Sequence, residues 1–89
     1  MKFEKEFLQA AHKHCTYNEA EVSKSSLCGC FYCVQNFKPN EIEEWADSDN
    51  VKGKSAICPK CGIDSVIGDY SSFPITDETF LKEMYSYWF

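Results

Sequence analysis

The fold of this chain is decided by two stretches, CGCFYC at residues 28–33 and CPKCGIDSVIG at residues 58–68. Together they contain the pattern C-x2-C-x24-C-x2-C, whose cysteines are Cys30, Cys33, Cys58 and Cys61. Two such pairs offer four thiolates, and four thiolates close the tetrahedral site that is typical of structural zinc. The sequence therefore predicts one structural metal site with Zn2+ as the ion. Iron stays open, because a rubredoxin-like centre uses the same four ligands.

The two cysteine pairs differ in the residues around them. In CPKCG, Pro59 stiffens the turn, and Gly62 can take the positive φ that lets the chain leave the metal without a steric clash. The first pair, CFYCV, has no glycine at the corresponding position, and its Phe31 and Tyr32 are bulky. The second pair is thus the more typical zinc knuckle.

Two further cysteines need a separate interpretation. Cys28 competes with Cys30 for a ligand position, but the spacing from Cys28 to Cys33 is too long for a standard knuckle. Cys28 is then a spare thiol beside the metal, either packed in the core or acting as an alternate ligand or reactive thiol. Cys15 follows His12 by one helical turn, and with His14 the two form a weak candidate for a second metal site; the alternative is a packed cysteine beside surface histidines.

Composition limits the classes of partner. The chain has 89 residues, a net charge of −5, and nine basic residues that are all lysine. Nucleic-acid binding without sequence preference depends on cationic side chains at phosphates, so we expect no general nucleic-acid binding. Aromatic residues make up 16% of the chain, which is more than one small domain easily buries and is compatible with a homo-oligomer.

Cellular location is indicated by the first fourteen residues. They are charged throughout and contain no apolar run long enough for a secretory signal or a membrane span, so a cytoplasmic protein without membrane contact is expected. In a reducing compartment, clustered cysteines favour metal binding over disulfides.

The predicted fold class is α+β, in one zinc-stabilised domain over residues 1–89. Its centre is a small zinc-knuckle unit, ribbon-like or treble-clef-like, with a short hairpin, flanked by N- and C-terminal helices. Periodicity and capping signals predict four segments along the chain: a helix at 1–15, a loop at 16–27, a metal-binding core at 28–68, and a helix at 76–89. Within the core they predict a two-turn helix from Asn40, with Glu43 completing its capping box, and strands at 55–57 and 64–67.

A small-molecule site is expected where IDSVIG extends beyond the second knuckle, because metal binding alone does not require that stretch. Polar groups there, glycine N–H groups and the DYSSF loop can attract an anion, although the same residues can equally serve the turn and the core. The ligand-binding candidates are His12, His14, Phe31, Tyr32, Lys60, Asp64, Ser65, Tyr70 and Phe73.

A resemblance to known proteins is carried by the motifs CGCFYC, EIEEW, ICPKCGIDSVIG and FPIT and by the terminal YWF. Through them, residues 27–89 resemble a group of small bacterial and phage-borne cytoplasmic proteins of unassigned function. An upstream stretch with His12, His14 and Cys15 is also similar to the pattern. The resemblance implies a compact metal-binding protein and carries over no catalytic residues. This chain departs from it at Ser72, where glycine is common, so the conformation of the FPI loop does not follow from it.

These observations predict a non-catalytic, zinc-stabilised module that binds or sequesters a small anionic or nucleotide ligand. Phage-borne proteins of this size frequently act as inhibitors, so a phage or defence role is part of this prediction by analogy only. One alternative is a protein-interaction inhibitor or adaptor, which would expose a large aromatic patch at the C-terminal helix. A second is a small metal-dependent hydrolase or nuclease, for which His12, His14 and Asp64 are the available groups. No complete catalytic constellation occurs in the sequence, and no catalytic residue is assigned.

Overall fold

The computed structural model describes residues 2–89; Met1, the first residue of the predicted N-terminal helix, lies outside the described residues. The architecture is α+β, as predicted, with three α-helices, five short strands and three single 3-10 turns among the described residues. The helices are α1 (Lys5–His12), α2 (Glu19–Ser23) and α3 (Glu78–Trp88). The strands are β1 (Cys28–Cys30), β2 (Gln35–Phe37), β3 (Trp45–Ala46), β4 (Ser55–Ala56) and β5 (Val66–Gly68).

A three-stranded antiparallel sheet of order β2-β1-β5 carries the first cysteine pair. Cys30 is opposite Gln35 in the hairpin of β1 and β2, and it is opposite Val66 on β5. The first knuckle is therefore the turn of this hairpin. Strands β3 and β4 pair separately, with Trp45 opposite Ala56, and β4 leads directly to the second knuckle.

The buried side chains form two clusters on either side of this sheet region. The larger one packs α1 against α3 and comprises Leu8, Ala11, Cys15, Phe31, Ile67, Ile75, Phe80, Leu81 and Met84. The smaller one lies around the cysteines and comprises Val22, Cys28, Cys30, Phe37, Ala56, Cys58 and Val66. Strand β5 contributes Ile67 to the larger cluster and Val66 to the smaller one, so it joins the helical pair to the cysteine cluster.

Residues 16–27 were predicted as a loop, and that prediction is wrong for the segment Glu19–Ser23, which forms α2. The helix follows Asn18, a buried residue whose amide nitrogen donates to the carbonyl oxygens of His14 and Val66 at 2.9 and 2.8 Å. Its amide oxygen accepts from the Ala56 N–H at 3.0 Å. These tertiary bonds hold a helix too short to be stable alone, and no periodicity in the sequence reports them.

The prediction of a two-turn helix from Asn40 is also wrong. The segment contains one 3-10 turn at Pro39–Glu41, and the chain then becomes extended in β3. The carboxylate of Glu41, rather than that of Glu43, accepts a backbone hydrogen bond, from the Lys38 N–H at 2.7 Å. Pairing of β3 with β4 provides hydrogen bonds for backbone N–H and C=O groups that would otherwise be bonded within a helix.

The two terminal helices lie side by side. The predicted helix 1–15 is α1 followed by a 3-10 turn at Lys13–Cys15, and the predicted helix 76–89 is α3, capped by Asp77, whose carboxylate accepts from the Thr79 N–H at 2.9 Å. The Glu83 carboxylate accepts from the backbone N–H groups of Lys2 and Phe3 at 2.7 and 2.9 Å. A hydrogen bond from the Lys2 ammonium lowers the pKa of Asp77.

Gly68 provides a test of how closely the segment that follows α2 approaches the sheet. A Cβ at this position would overlap Ser25 Oγ and lie 2.9 Å from Ser25 Cβ. Ser25 cannot easily turn away, because its hydroxyl donates to the Glu21 carbonyl at 2.9 Å and accepts from the Tyr70 N–H at 3.0 Å. We expect Gly68→Ala to lower the free energy of unfolding by about 2 kcal/mol, measured by urea denaturation.

The control is the double variant Gly68→Ala/Ser25→Gly, which removes the overlapping side chain. Its loss in free energy of unfolding should be smaller than the sum of the losses in the two single variants, since the steric conflict is then absent. Additive losses would show that the two residues are not in conflict.

Candidate metal centre

The sulfur atoms of the four cysteines in the two knuckles converge at one place. All lie within 4.8 Å of one another; Cys30 Sγ is 3.6 Å from Cys61 Sγ, and Cys33 Sγ is 3.7 Å from Cys58 Sγ. A tetrahedral site with Zn–S bonds of about 2.3 Å requires sulfur–sulfur separations of about 3.8 Å. Four cysteines arranged in this way can bind a metal ion, and zinc fits their spacing.

Both knuckles have the same backbone turn. The Val34 N–H donates to the Cys30 carbonyl at 2.9 Å, and the Gly62 N–H donates to the Cys58 carbonyl at the same distance. Each donor residue has a positive φ, of 57° for Val34 and 80° for Gly62. The turn that the sequence predicts from the glycine of the second knuckle is thus also formed in the first, without a glycine.

Val34 is strained by this conformation. The left-handed region is unfavourable for a β-branched residue and costs of the order of 1–3 kcal/mol. The rest of the knuckle must supply that energy. The sequence shows the missing glycine at position 34, but it gives no indication whether the turn would change or the residue would be forced into it.

Hydrogen bonds to sulfur orient the first cysteine of each knuckle. The Tyr32 N–H donates to Cys30 Sγ and the Lys60 N–H to Cys58 Sγ, both at 3.4 Å. The Cys30 sulfur also lies 3.1 Å from the hydroxyl oxygen of Ser65, a buried residue. A thiolate that receives such bonds is held in position and stabilised in its charged form, as metal-binding sulfurs usually are.

The thiols differ in acidity because their surroundings differ. Burial raises the pKa of Cys61 to about 11 and raises that of Cys33 further above its usual range, with the adjacent Cys30 sulfur adding to both effects. For Cys30, burial acts in the same direction, but hydrogen bonds from Ser65 and from backbone N–H groups outweigh it and lower the pKa. A bound metal must therefore displace protons from most of this cluster, so metal affinity falls as the pH falls.

The two remaining cysteines lie outside this cluster. Cys28 is fully buried, and burial together with the nearby Asp69 raises its pKa to about 12, which makes it an inert core thiol rather than a reactive one. Cys15, in the turn after α1, is buried in the larger core cluster, and burial raises its pKa as well. Within residues 2–89 the four knuckle cysteines form the only group of three or more potential metal ligands, so the second site considered for Cys15, His12 and His14 is not formed.

Two of the ligand-binding candidates have structural positions instead. Phe31 is only 1% exposed and belongs to the larger core cluster, so its ring cannot stack on a ligand. Ser65 is buried, and its hydroxyl oxygen lies against the Cys30 sulfur. Asp64, between the knuckle and β5, is exposed to solvent. In the polar stretch beyond the second knuckle, the buried Ser65 hydroxyl is therefore directed at the Cys30 sulfur.

The remaining candidates are engaged separately and do not form one site. The His12 ring packs on Trp88 with centroids 3.9 Å apart, and burial lowers its pKa although Asp64 acts in the opposite direction. His14 bonds to Glu21 at 3.0 Å and lies 5.2 Å from the Phe73 ring. The other pairs are Lys60 with Glu41 at 3.9 Å, and Tyr70 with the ammonium of Lys24 at 5.5 Å.

An open groove of about 320 Å3 lies beside the first knuckle. It is lined by Tyr32 and Val34 of that knuckle and by Lys82, Tyr85 and Ser86 of α3. Of these residues only Tyr32 was a ligand-binding candidate from the sequence. The available signal was the breadth of the apolar stripe on α3, which is wider than one buried face needs and leaves Tyr85 and Phe89 exposed.

Comparison of the chain with protein-family models, with curated proteins and with solved structures gives no match. Among the helices of residues 2–89, none is sufficiently long and apolar to span a membrane.

Ser65→Ala tests the support that the hydroxyl gives to Cys30. Its loss removes a hydrogen bond from the most buried sulfur, so we expect zinc affinity to fall about tenfold, measured by competition with a chromophoric chelator. Ser71→Ala is the matched control, because its hydroxyl donates to the Gly68 carbonyl at 2.7 Å and does not contact a cysteine. Equal zinc affinities for the two variants would contradict a role for Ser65 at the metal.

Proposed function

We propose that this protein is a non-catalytic binding module stabilised by one structural zinc ion. The observation that carries the proposal is the convergence of four cysteine sulfurs within 4.8 Å, at separations close to those of a tetrahedral zinc–thiolate site. With four thiolate ligands the coordination shell is complete, whereas catalytic zinc keeps one position for water or substrate. A structural role follows from that ligand set.

Within this proposal, the fold is a zinc ribbon rather than a treble clef. Support comes from the positions of the ligands: the first pair flanks the turn of the β1–β2 hairpin, and the second follows β4. In the described chain, no knuckle cysteine lies on an α-helix. Because the two core clusters are small, the metal supplies a large part of the free energy of folding, as in other domains of this length.

The bound partner that we propose is a small anionic ligand of the nucleotide class. Support comes from the exposed aromatic rings beside the first knuckle and from the lysine next to them. A protein partner is the second candidate, favoured by the exposure of Tyr85 and Trp88 on α3 and of Phe89 directly after it. The hydrolase alternative has less support, because His12 is packed on Trp88 and His14 is bonded to Glu21.

Metal analysis tests the structural proposal. Freshly purified protein should contain about one zinc per chain, and chelation at neutral pH should abolish its cooperative thermal unfolding, because structural zinc supplies much of the folding free energy in such domains. Less than about half an equivalent of zinc or iron would overturn the proposal.

Cysteine variants locate the site. Cys33→Ser and Cys61→Ser change half-buried ligands and should each lose most of the bound zinc. Cys15→Ala is the matched control: it removes a thiol outside the cluster and should keep its metal even if packing is weakened. Zinc retained by both ligand variants would contradict the assignment.

A further inference from the structure

We propose that the groove between the first knuckle and α3 binds a small planar aromatic ring that carries an anionic group, as in a mononucleotide. This inference rests on the proposed binding function and assigns it to particular residues. The groove is lined by Tyr32, Val34, Lys82, Tyr85 and Ser86, and its volume of about 320 Å3 suits a small ligand.

Aromatic side chains supply the surface for a planar ring. Tyr32 and Tyr85 have ring centroids 5.5 Å apart, and the Phe89 ring lies 4.9 Å from Tyr32. The three rings are 40%, 41% and 60% exposed, respectively, so each still presents area to solvent. A planar ligand can stack on such a group without displacing it, and stacking of this kind tolerates different ring systems.

The charge at the groove favours an anionic ligand. Among the described residues, Lys82 is the one basic side chain that lines the groove, and the Ser86 hydroxyl can donate a hydrogen bond beside it. The Lys82 ammonium lies 3.2 Å from Glu78, but both side chains are more than 60% exposed. An exposed pair of this kind is weak, so the ammonium can exchange Glu78 for a phosphate or carboxylate at little cost.

Val34 provides an independent observation. The equivalent position of the second knuckle is Gly62, which adopts the same left-handed turn without strain. Val34 adopts it at a steric cost, and its side chain lines the groove. The Val34 side chain packs against the larger core cluster and also lines the groove, so a ligand there would contact it. Strained residues are concentrated at binding sites, which is consistent with that contact.

The experiment titrates the zinc-loaded full chain with adenosine monophosphate and follows backbone amide resonances by NMR. We expect shifts centred on Tyr32, Val34 and Tyr85. Adenosine and inorganic phosphate, tested separately, should each bind about tenfold more weakly, because each provides only half of the ligand. No shift of groove residues at millimolar mononucleotide would overturn the inference.

Lysine variants test the anion contact. Lys82→Gln should weaken mononucleotide binding about tenfold and leave adenosine binding unchanged. Lys24→Gln is the matched control, because Lys24 also lies over a tyrosine ring, that of Tyr70, but outside the groove. An equal loss in both variants would indicate general charge attraction and would overturn the site.

Val34→Gly separates binding from stability. It relieves the left-handed strain but also removes the packing of Val34 against the larger core cluster, so we expect Tm to change by less than about 4 °C while mononucleotide binding weakens about fivefold. A lower Tm with unchanged binding would show that Val34 serves packing, and it would overturn its assignment to the groove.

Zinc content and concentration dependence are measured on the same samples. Full zinc with no binding would refute this inference and leave the proposed zinc module intact, whereas absent zinc would refute the module itself. Shifts of the groove residues with protein concentration, without ligand, would assign the surface to a second copy of the chain and overturn the proposal.

Discussion

The convergence of four cysteine sulfurs within 4.8 Å is the constraint on which the rest of this structure depends. Four thiolates this close repel one another strongly, so they can be ionised together only around a cation. The turns aim backbone N–H groups at the sulfurs, and Ser65 adds a hydroxyl. A chain of this size with two small core clusters has few other ways to fix its central sheet.

The same constraint links the metal to the surface of the molecule. Residues between Cys30 and Cys33 alternate in direction: Phe31 enters the helical core, and Tyr32 faces solvent beside α3. Holding the knuckle therefore also holds an aromatic side chain against the C-terminal helix. A metal held by these cysteines would fix the shape of the adjacent surface without needing any chemistry of its own.

The two knuckles give an internal comparison of how one backbone turn is built from two sequences. Gly62 adopts its positive φ without penalty, whereas Val34 adopts a similar φ with a steric cost. Ser72 is likewise left-handed, with φ of 72°. In both places the surrounding hydrogen bonds impose the conformation on a residue that does not prefer it.

The sequence by itself determined the local parts of this protein: the α+β class and the cysteine spacing that places four sulfurs together. Helical periodicity and the three-residue spacing within each cysteine pair are local features that a sequence displays directly, and two such pairs imply one shared site because a metal needs four ligands. Tertiary structure decided the segment after Asn40, where pairing with β4 replaced a helix, and α2, which depends on two distant hydrogen bonds of Asn18, to Val66 and Ala56. It also decided the groove, because Val34 and Lys82 are far apart in sequence and meet only when the knuckle packs on α3.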